Sequence, residues 1–290
     1  MNDASWNPLI AERTPDRPAC RDVALRLESW APPALAERWD NSGWMCGEPD
    51  RPVTGILVCL DATPDRVAEA AQAGENLIVS HHPPLFAPLR SVTDDTREGR
   101  LVGMCWRNGI QIYSAHTNFD AACGGLADLL ACELGLVAPV PFPGPSCEGL
   151  EGRARQGRLP EQVDAPGFIR WLSQRLGASG PRIIGRLPDR IERIVTQNGA
   201  YDEALLPHLR RCPPDVLVAG DVKYHDALDL AEAGIAVADC GHFHTERMFV
   251  PAVVRWLSAR FPEVPVRAAV EQDVYADARL YTEPGNGYHG

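Results

Sequence analysis

The sequence predicts an α/β protein made of two related α/β units with mixed, mostly parallel sheets. The first observation is an alternation of short apolar runs with helical segments. The apolar runs lie at residues 55–61, 77–80, 110–114, 191–196 and 215–219, and the helical segments at 66–72, 94–108, 167–176, 201–211 and 225–233. Strands that alternate with helices in this way form mostly parallel sheets. The second observation is a repeat of this pattern in the two halves, described below.

Individual elements carry their own signals. Residues 23–30 predict a helix that ends before Pro32 and Pro33, and residues 34–39 predict a second, short helix. Thr63 before Pro64 is a typical helix start, and glycines at 74 and 109 follow the ends of the next two helices. Local capping signals therefore agree with the periodic pattern.

Five segments follow from these signals. Residues 137–155 are rich in proline and glycine and predict a connection between the units. The N-terminal residues contain Pro8, Pro15 and Pro18 and predict a loose leader. The predicted division is a leader at 1–21, a first unit at 22–136, the connection at 137–155, a second unit at 156–267 and a tail at 268–290.

Composition narrows the class of protein. A formal net charge of −11 argues against nucleic-acid binding, because no stripe of lysine and arginine is visible. The nine cysteines show no Cys-x-x-Cys spacing, which indicates free thiols in a reducing compartment. The N-terminus lacks a secretory signal and no apolar run reaches membrane-spanning length. We therefore expect a cytoplasmic protein without membrane or nucleic-acid partners.

Three short clusters of metal-ligand side chains each follow a strand-like run. They are His81 with His82, His116 with Asp120, and His242 with Glu246. Imidazole and carboxylate are ligands of borderline divalent metals, and six such groups are too many for one tetrahedral ion. The sequence therefore predicts two divalent ions in one cavity, with Zn, Mn, Fe, Co and Ni all compatible with the ligands.

Each cluster also has a plain structural interpretation. His81 and His82 could be a polar strand end, although Pro83 and Pro84 after them would hold the pair rigidly. Asp120 could cap a helix. Its spacing of four residues from His116 nevertheless places both side chains on one side of a helical turn.

The arrangement occurs twice, and this repetition favours metal binding. Residues 77–120 run strand, helix, strand and then His-x-x-x-Asp, and residues 216–246 run strand, helix, strand and then His-x-x-x-Glu. The ligands would thus lie at the carboxyl ends of strands in both units, where open α/β sheets bind their ligands.

Other polar residues leave alternatives open. His225 could carry protons at the site or be a surface residue at a helix start, and His244 could face solvent or support a ligand. Asp61 and Asp221 could orient a ligand imidazole or cap a helix. His208 and His289 are interpreted as surface residues.

These motifs together resemble the NIF3 family of dinuclear-metal proteins, also called GTP cyclohydrolase I type 2-like or DUF34. The motifs are Trp39-Asp40-Asn41-Ser42-Gly43, Ser80-His81-His82-Pro83, Ser114-Ala115-His116-Thr117-Asn118-Phe119-Asp120, Gly220-Asp221-Val222-Lys223-Tyr224-His225 and Gly241-His242-Phe243-His244-Thr245-Glu246. The resemblance places the family's metal ligands on the same six residues. It also implies a toroidal homohexamer, a trimer of dimers, with the metal sites facing an internal cavity. One departure is residues 196–200, Thr-Gln-Asn-Gly-Ala, where the family has a glycine-rich strand end.

The resemblance implies a metal-dependent hydrolase with GTP cyclohydrolase I type 2-like activity on a small molecule. Two divalent ions would activate water for attack, and His225 would handle the proton. The alternative function is a non-catalytic metal carrier, a metallocentre-insertion protein or a regulatory protein-binding role. An oxygen-handling di-iron protein is a third, weaker alternative.

Overall fold

The computed structural model describes residues 17–143, 152–178 and 180–275, and over this part of the chain the predicted α/β class is confirmed. The helices are α1 Cys20–Glu28, α2 Pro64–Ala73, α3 Arg97–Asn108, α4 Thr117–Ala121, α5 Leu126–Glu133, α6 Ala165–Leu176, α7 Leu206–Arg211, α8 Tyr224–Glu232, α9 His242–Glu246 and α10 Phe249–Arg260. The strands are β1 Gly43–Cys46, β2 Ile56–Asp61, β3 Leu77–His82, β4 Gln111–Ser114, β5 Val137–Pro141, β6 Ala154–Val163, β7 Arg182–Ile184, β8 Ile191–Ala200, β9 Val216–Gly220, β10 Val237–Asp239 and β11 Val266–Ala268. None of these helices is both long enough and apolar enough to cross a lipid bilayer.

The described residues form two compact units whose boundaries differ from the sequential division predicted above. The first unit takes the described residues up to Ser29, Asn41–Ala115 and Val253–Ala269, and the second takes the remainder. The chain returns to the first unit near its C-terminus because β11 pairs in parallel with β2. Arg267 strengthens this return through ion pairs with Glu69 and Glu75.

The first unit is built on a five-stranded sheet in the order β1-β4-β3-β2-β11. All neighbours in this sheet are parallel except β1, which runs antiparallel to β4 at one edge. Strands β2 and β3 are almost wholly buried, as expected for the centre of a parallel sheet. Their register places Asp61 opposite His82 at the carboxyl edge.

Helices α2 and α3 contribute to the core of the first unit. Val67 and Ala70 of α2 and Leu101 and Cys105 of α3 share a buried cluster with residues of β2, β3 and β4. Helix α2 begins as its sequence predicts, because the Thr63 side chain accepts a hydrogen bond from the Arg66 backbone. Gly74 ends it in the left-handed conformation.

The second unit is built on a six-stranded mixed sheet in the order β5-β6-β8-β9-β10-β7. Strands β8, β9 and β10 are parallel, and antiparallel strands flank them on both sides. The parallel pairs β8–β9 and β9–β10 therefore bring the carboxyl ends of these three strands to one edge of the sheet. Asn198 lies near the end of β8, and Asp221 and His242 lie in the segments that follow β9 and β10.

Residues 137–155 are not simply the connection that their composition predicts. Residues 137–141 form the edge strand β5, and β6 begins at Ala154. Proline has no backbone N–H to donate. Pro139 and Pro141 are tolerated in β5 because the outer side of an edge strand needs no such donor. Residues 144–151 lie outside the described part of the chain.

Three smaller predictions also change. The helix predicted at 34–39 is a single 3₁₀ turn, Pro33–Leu35, because the backbone is extended at Ala36. The predicted leader overlaps α1, and the backbone of Pro18 accepts a hydrogen bond from Val53, whereas residues 1–16 lie outside the description. The predicted tail overlaps β11 at Ala268, and residues 276–290 are likewise not described.

Candidate metal centre

Two adjacent histidines end strand β3 in the first unit. His81 is fully buried, and its Nδ1 lies 2.9 Å from the backbone oxygen of Ala115. His82 is partly exposed, and its Nδ1 lies 3.1 Å from Oδ1 of Asp61. The two rings are 4.8 Å apart. The parallel register of β2 and β3 thus supplies His82 with its carboxylate partner.

In the second unit, His116 is held by a buried aspartate. His116 directly precedes α4, and its Nδ1 lies 2.7 Å from Oδ1 of Asp40, whose side chain is wholly buried. The other carboxylate oxygen of Asp40 accepts hydrogen bonds from the backbone N–H and the hydroxyl of Thr117. Asp40 therefore fixes both the ring of His116 and the start of α4.

Asp120, His242 and Glu246 meet around one asparagine. Nδ2 of Asn198 lies 2.9 Å from Oδ1 of Asp120 and 3.4 Å from Oε1 of Glu246. Nε2 of His242 lies 3.0 Å from Oε2 of Glu246, one helical turn further along α9. Nδ1 of His242 lies 2.9 Å from Oδ2 of Asp221. The pair predicted from its spacing of four residues is thus formed.

The four imidazoles share one hydrogen-bonding pattern. Each has its Nδ1 within 3.1 Å of an oxygen acceptor, namely Ala115, Asp61, Asp40 or Asp221. A carbonyl or carboxylate oxygen only accepts, so Nδ1 is the atom that donates. Nε2 of the neutral ring then carries a lone pair, which is the arrangement found in metal-ligating histidines.

This donor set fits a divalent cation. Nε2 of His242 and Oε2 of Glu246 lie 3.0 Å apart, so the two atoms can share a proton or, once that proton is lost, bind one cation together. The described residues include clusters of His, Asp and Glu side chains whose ligand atoms are close enough to hold a metal ion. The side chains in these clusters are those of His81, His82, His116, Asp120, His242 and Glu246.

Cys240 and His244 lie near these motifs, but their environments differ from those of the four histidines above. Burial raises the pKa of the Cys240 thiol to about 12, and among the described residues Cys240 does not belong to the clusters that could hold a metal ion. Nδ1 of His244 donates to the backbone of Leu176, and its Nε2 lies 3.3 Å from Asp273. His244 is therefore held by the protein through both ring nitrogens.

His225 lies at the exposed start of α8, where its ring meets the edge of Tyr224 at 5.5 Å. A proton-shuttle role for it stays a prediction.

Sequence reasoning missed two residues of the site, Asp40 and Asn198. Asp40 lies inside the Trp39–Gly43 motif, so the resemblance marked its position without giving its role. Asn198 lies in the segment where the chain departs from the glycine-rich pattern of the family. Asp61 and Asp221, which the sequence left ambiguous, each accept a hydrogen bond from a histidine.

We expect Asp40→Asn to lower metal affinity by about 10- to 100-fold, as the loss of an outer hydrogen bond to a ligand typically does. An amide cannot accept from both His116 and Thr117, because its NH₂ end must face one of these donors. Competition with a chromophoric chelator measures the affinity. Asp65→Asn, at an exposed position in α2, is the control. Unchanged affinity in folded Asp40→Asn would show that His116 does not depend on Asp40.

Comparison with known proteins agrees with the resemblance. The Duf34/NIF3 (NGG1p interacting factor 3) family model matches residues 18–274. The chain is 33% identical over 225 residues to a "GTP cyclohydrolase 1 type 2 homolog" of Clostridium perfringens, covering 78% of this chain and 86% of the relative. It is also 33% identical over 238 residues to a protein of the same name from Streptomyces coelicolor, covering 79% and 82%.

Solved structures show the same fold. A Bacillus cereus protein related to NIF3 superposes with a TM-score of 0.80 at 23% identity, over 90% of this chain and 99% of that one. The family model spans most of the chain, and the two relatives above are each 33% identical to the chain. The chain therefore belongs to the Duf34/NIF3 family.

Proposed function

We propose that this protein is a metal-dependent hydrolase that holds two divalent ions through His81, His82, His116, Asp120, His242 and Glu246. The observation that carries the proposal is that Nδ1 of each of the four histidines lies within 3.1 Å of an oxygen acceptor, which is the arrangement typical of metal-ligating histidines. When bound, such ions polarise a substrate oxygen and lower the pKa of coordinated water.

A cavity in the first unit supports a small-molecule substrate. It has a volume of about 480 Å³ and is lined by Asp61, His82, Pro83, Phe86, Leu89 and Arg97, among others. This size is typical of small-molecule sites, and one proposed ligand, His82, lies in its wall. Phe86 is 55% exposed and offers a ring face for apolar groups, while Arg97 offers a cation for an anionic group. A carrier of bare metal ions has no need of such a cavity.

The chain's own residues would prepare the reaction. Asp61, Asp40 and Asp221 orient the imidazoles, and His225 is our candidate for moving a proton to the leaving group. The names of the relatives suggest GTP as one substrate to test. We also infer a reducing, cytoplasmic location, since none of the eight described cysteines forms a disulfide bond.

Turnover and metal content test the proposal together. Untagged protein is analysed for metals and screened against nucleotides including GTP, cyclic amides and phosphoesters. We expect turnover of one class that a chelator abolishes and added metal restores. A fully loaded protein that turns over none of the panel, and that readily gives its metal to a competing chelator, would instead support the carrier function.

The resemblance also leads us to propose a homohexamer. Light scattering should then give six times the 31.7 kDa mass of the subunit, and any smaller mass would contradict it.

A further inference from the structure

The side-chain amide of Asn198 touches two of the proposed ligands at once. Asn198 lies in β8 with 6% of its surface exposed. Its Nδ2 is 2.9 Å from one oxygen of Asp120 and 3.4 Å from one oxygen of Glu246. Carboxylate oxygens only accept, and an amide nitrogen has two hydrogens, so each carboxylate receives one of them. One side chain thus occupies one oxygen of each acid.

The two carboxylate oxygens of Glu246 therefore face different partners. Oε1 faces the amide of Asn198, whereas Oε2 lies 3.0 Å from the ligand nitrogen of His242. The backbone fixes this division, because the Gly199 N–H donates to the Thr245 hydroxyl of α9 at 3.0 Å. This hydrogen bond joins strand β8 to helix α9 next to Asn198, so that the amide lies within reach of Glu246.

The other end of the amide shows that packing alone does not explain Asn198. Its Oδ1 is buried and accepts no hydrogen bond from the described residues. A buried unsatisfied carbonyl costs about 1–3 kcal/mol. An asparagine retained at that cost is better explained by what its Nδ2 does to the two carboxylates.

We propose that Asn198 makes Asp120 and Glu246 monodentate ligands. An oxygen that accepts from the amide has one of its two lone pairs engaged, so we expect each carboxylate to bind an ion through its other oxygen. A coordination position then stays open for water or for an anionic substrate group, which is the feature that separates catalytic from structural metal sites. The inference rests on the metal binding of the proposed function.

Azide binding to the cobalt-loaded protein tests this role without relying on turnover. Wild type, Asn198→Ala, Asn198→Asp and the control Gln197→Ala are loaded with Co²⁺, and azide is titrated while the visible absorption is followed. Gln197 is a buried amide next to Asn198, but its Oε1 accepts from the Asp202 backbone. Asn198→Asp keeps the side-chain shape while removing both N–H donors.

We expect wild type and Gln197→Ala to bind azide with a spectral shift. Both Asn198 variants should retain cobalt but bind azide about tenfold or more weakly, because a freed carboxylate oxygen fills the open position. Azide binding like that of wild type in a cobalt-loaded Asn198 variant would overturn the inference. Loss of cobalt from both variants would also overturn it, because the amide would then serve retention or folding. Failure of wild type itself to bind cobalt would instead contradict the proposed function.

Discussion

Replacing His116 by alanine, or Glu246 by glutamine, is expected to remove most of the bound metal. Each change deletes a proposed ligand, so the loss of affinity should exceed the roughly 10- to 100-fold that an outer hydrogen bond contributes. His116→Ala removes an imidazole whose orientation Asp40 fixes, and Glu246→Gln replaces a charged oxygen beside His242 with an amide. Elemental analysis of untagged protein measures the result.

Two matched variants control for these changes. His208→Ala removes a histidine in α7, and Glu232→Ala removes an exposed glutamate at the end of α8. Neither residue belongs to the proposed donor set, so both controls should keep their metal. If His116→Ala or Glu246→Gln stays fully loaded, that residue is not a ligand.

The second large effect is expected from Gly199→Ala. Gly199 has a φ of +63°, and a Cβ there would run into Oε1 of Glu246 and approach the ring of His242 at 3.4 Å. The backbone strain alone costs roughly 1–2 kcal/mol. The clash must in addition push Glu246 from its place between Asn198 and His242. We therefore expect lower thermal stability together with loss of metal.

Gly234→Ala separates these two causes. Gly234 has a φ of +72°, close to that of Gly199, but nothing lies within 4 Å of the position of a Cβ. It should lower the melting temperature by a similar amount and leave metal content unchanged. Equal metal content in Gly199→Ala and Gly234→Ala would contradict the role we give to the close approach of Gly199 and Glu246.

The local parts of the fold follow from the sequence. The start of α2 at Thr63-Pro64 and its end at Gly74 depend on neighbouring residues alone, and both are confirmed. The division into units depends instead on pairing between distant segments. No pattern within residues 266–268 indicates that this short strand joins β2, more than 200 positions earlier in the chain.

The site shows the same contrast. The clusters at 81–82, 116–120 and 242–246 were visible because ligand types recur at strand ends with a repeated spacing. Asn198 gives no such signal, since it directly follows the polar residues Thr196 and Gln197 and has no periodicity to mark it. Only the folded chain shows that β8 passes α4 and α9 closely enough for its amide to reach Asp120 and Glu246.

Anomalous diffraction at the absorption edge of the bound metal shows directly whether the six side chains hold two divalent ions. We expect two peaks per chain, bonded at about 2.0–2.2 Å to the Nε2 atoms of the four histidines and to one oxygen each of Asp120 and Glu246. An absent signal in metal-loaded crystals, or peaks bonded to other residues, would contradict it.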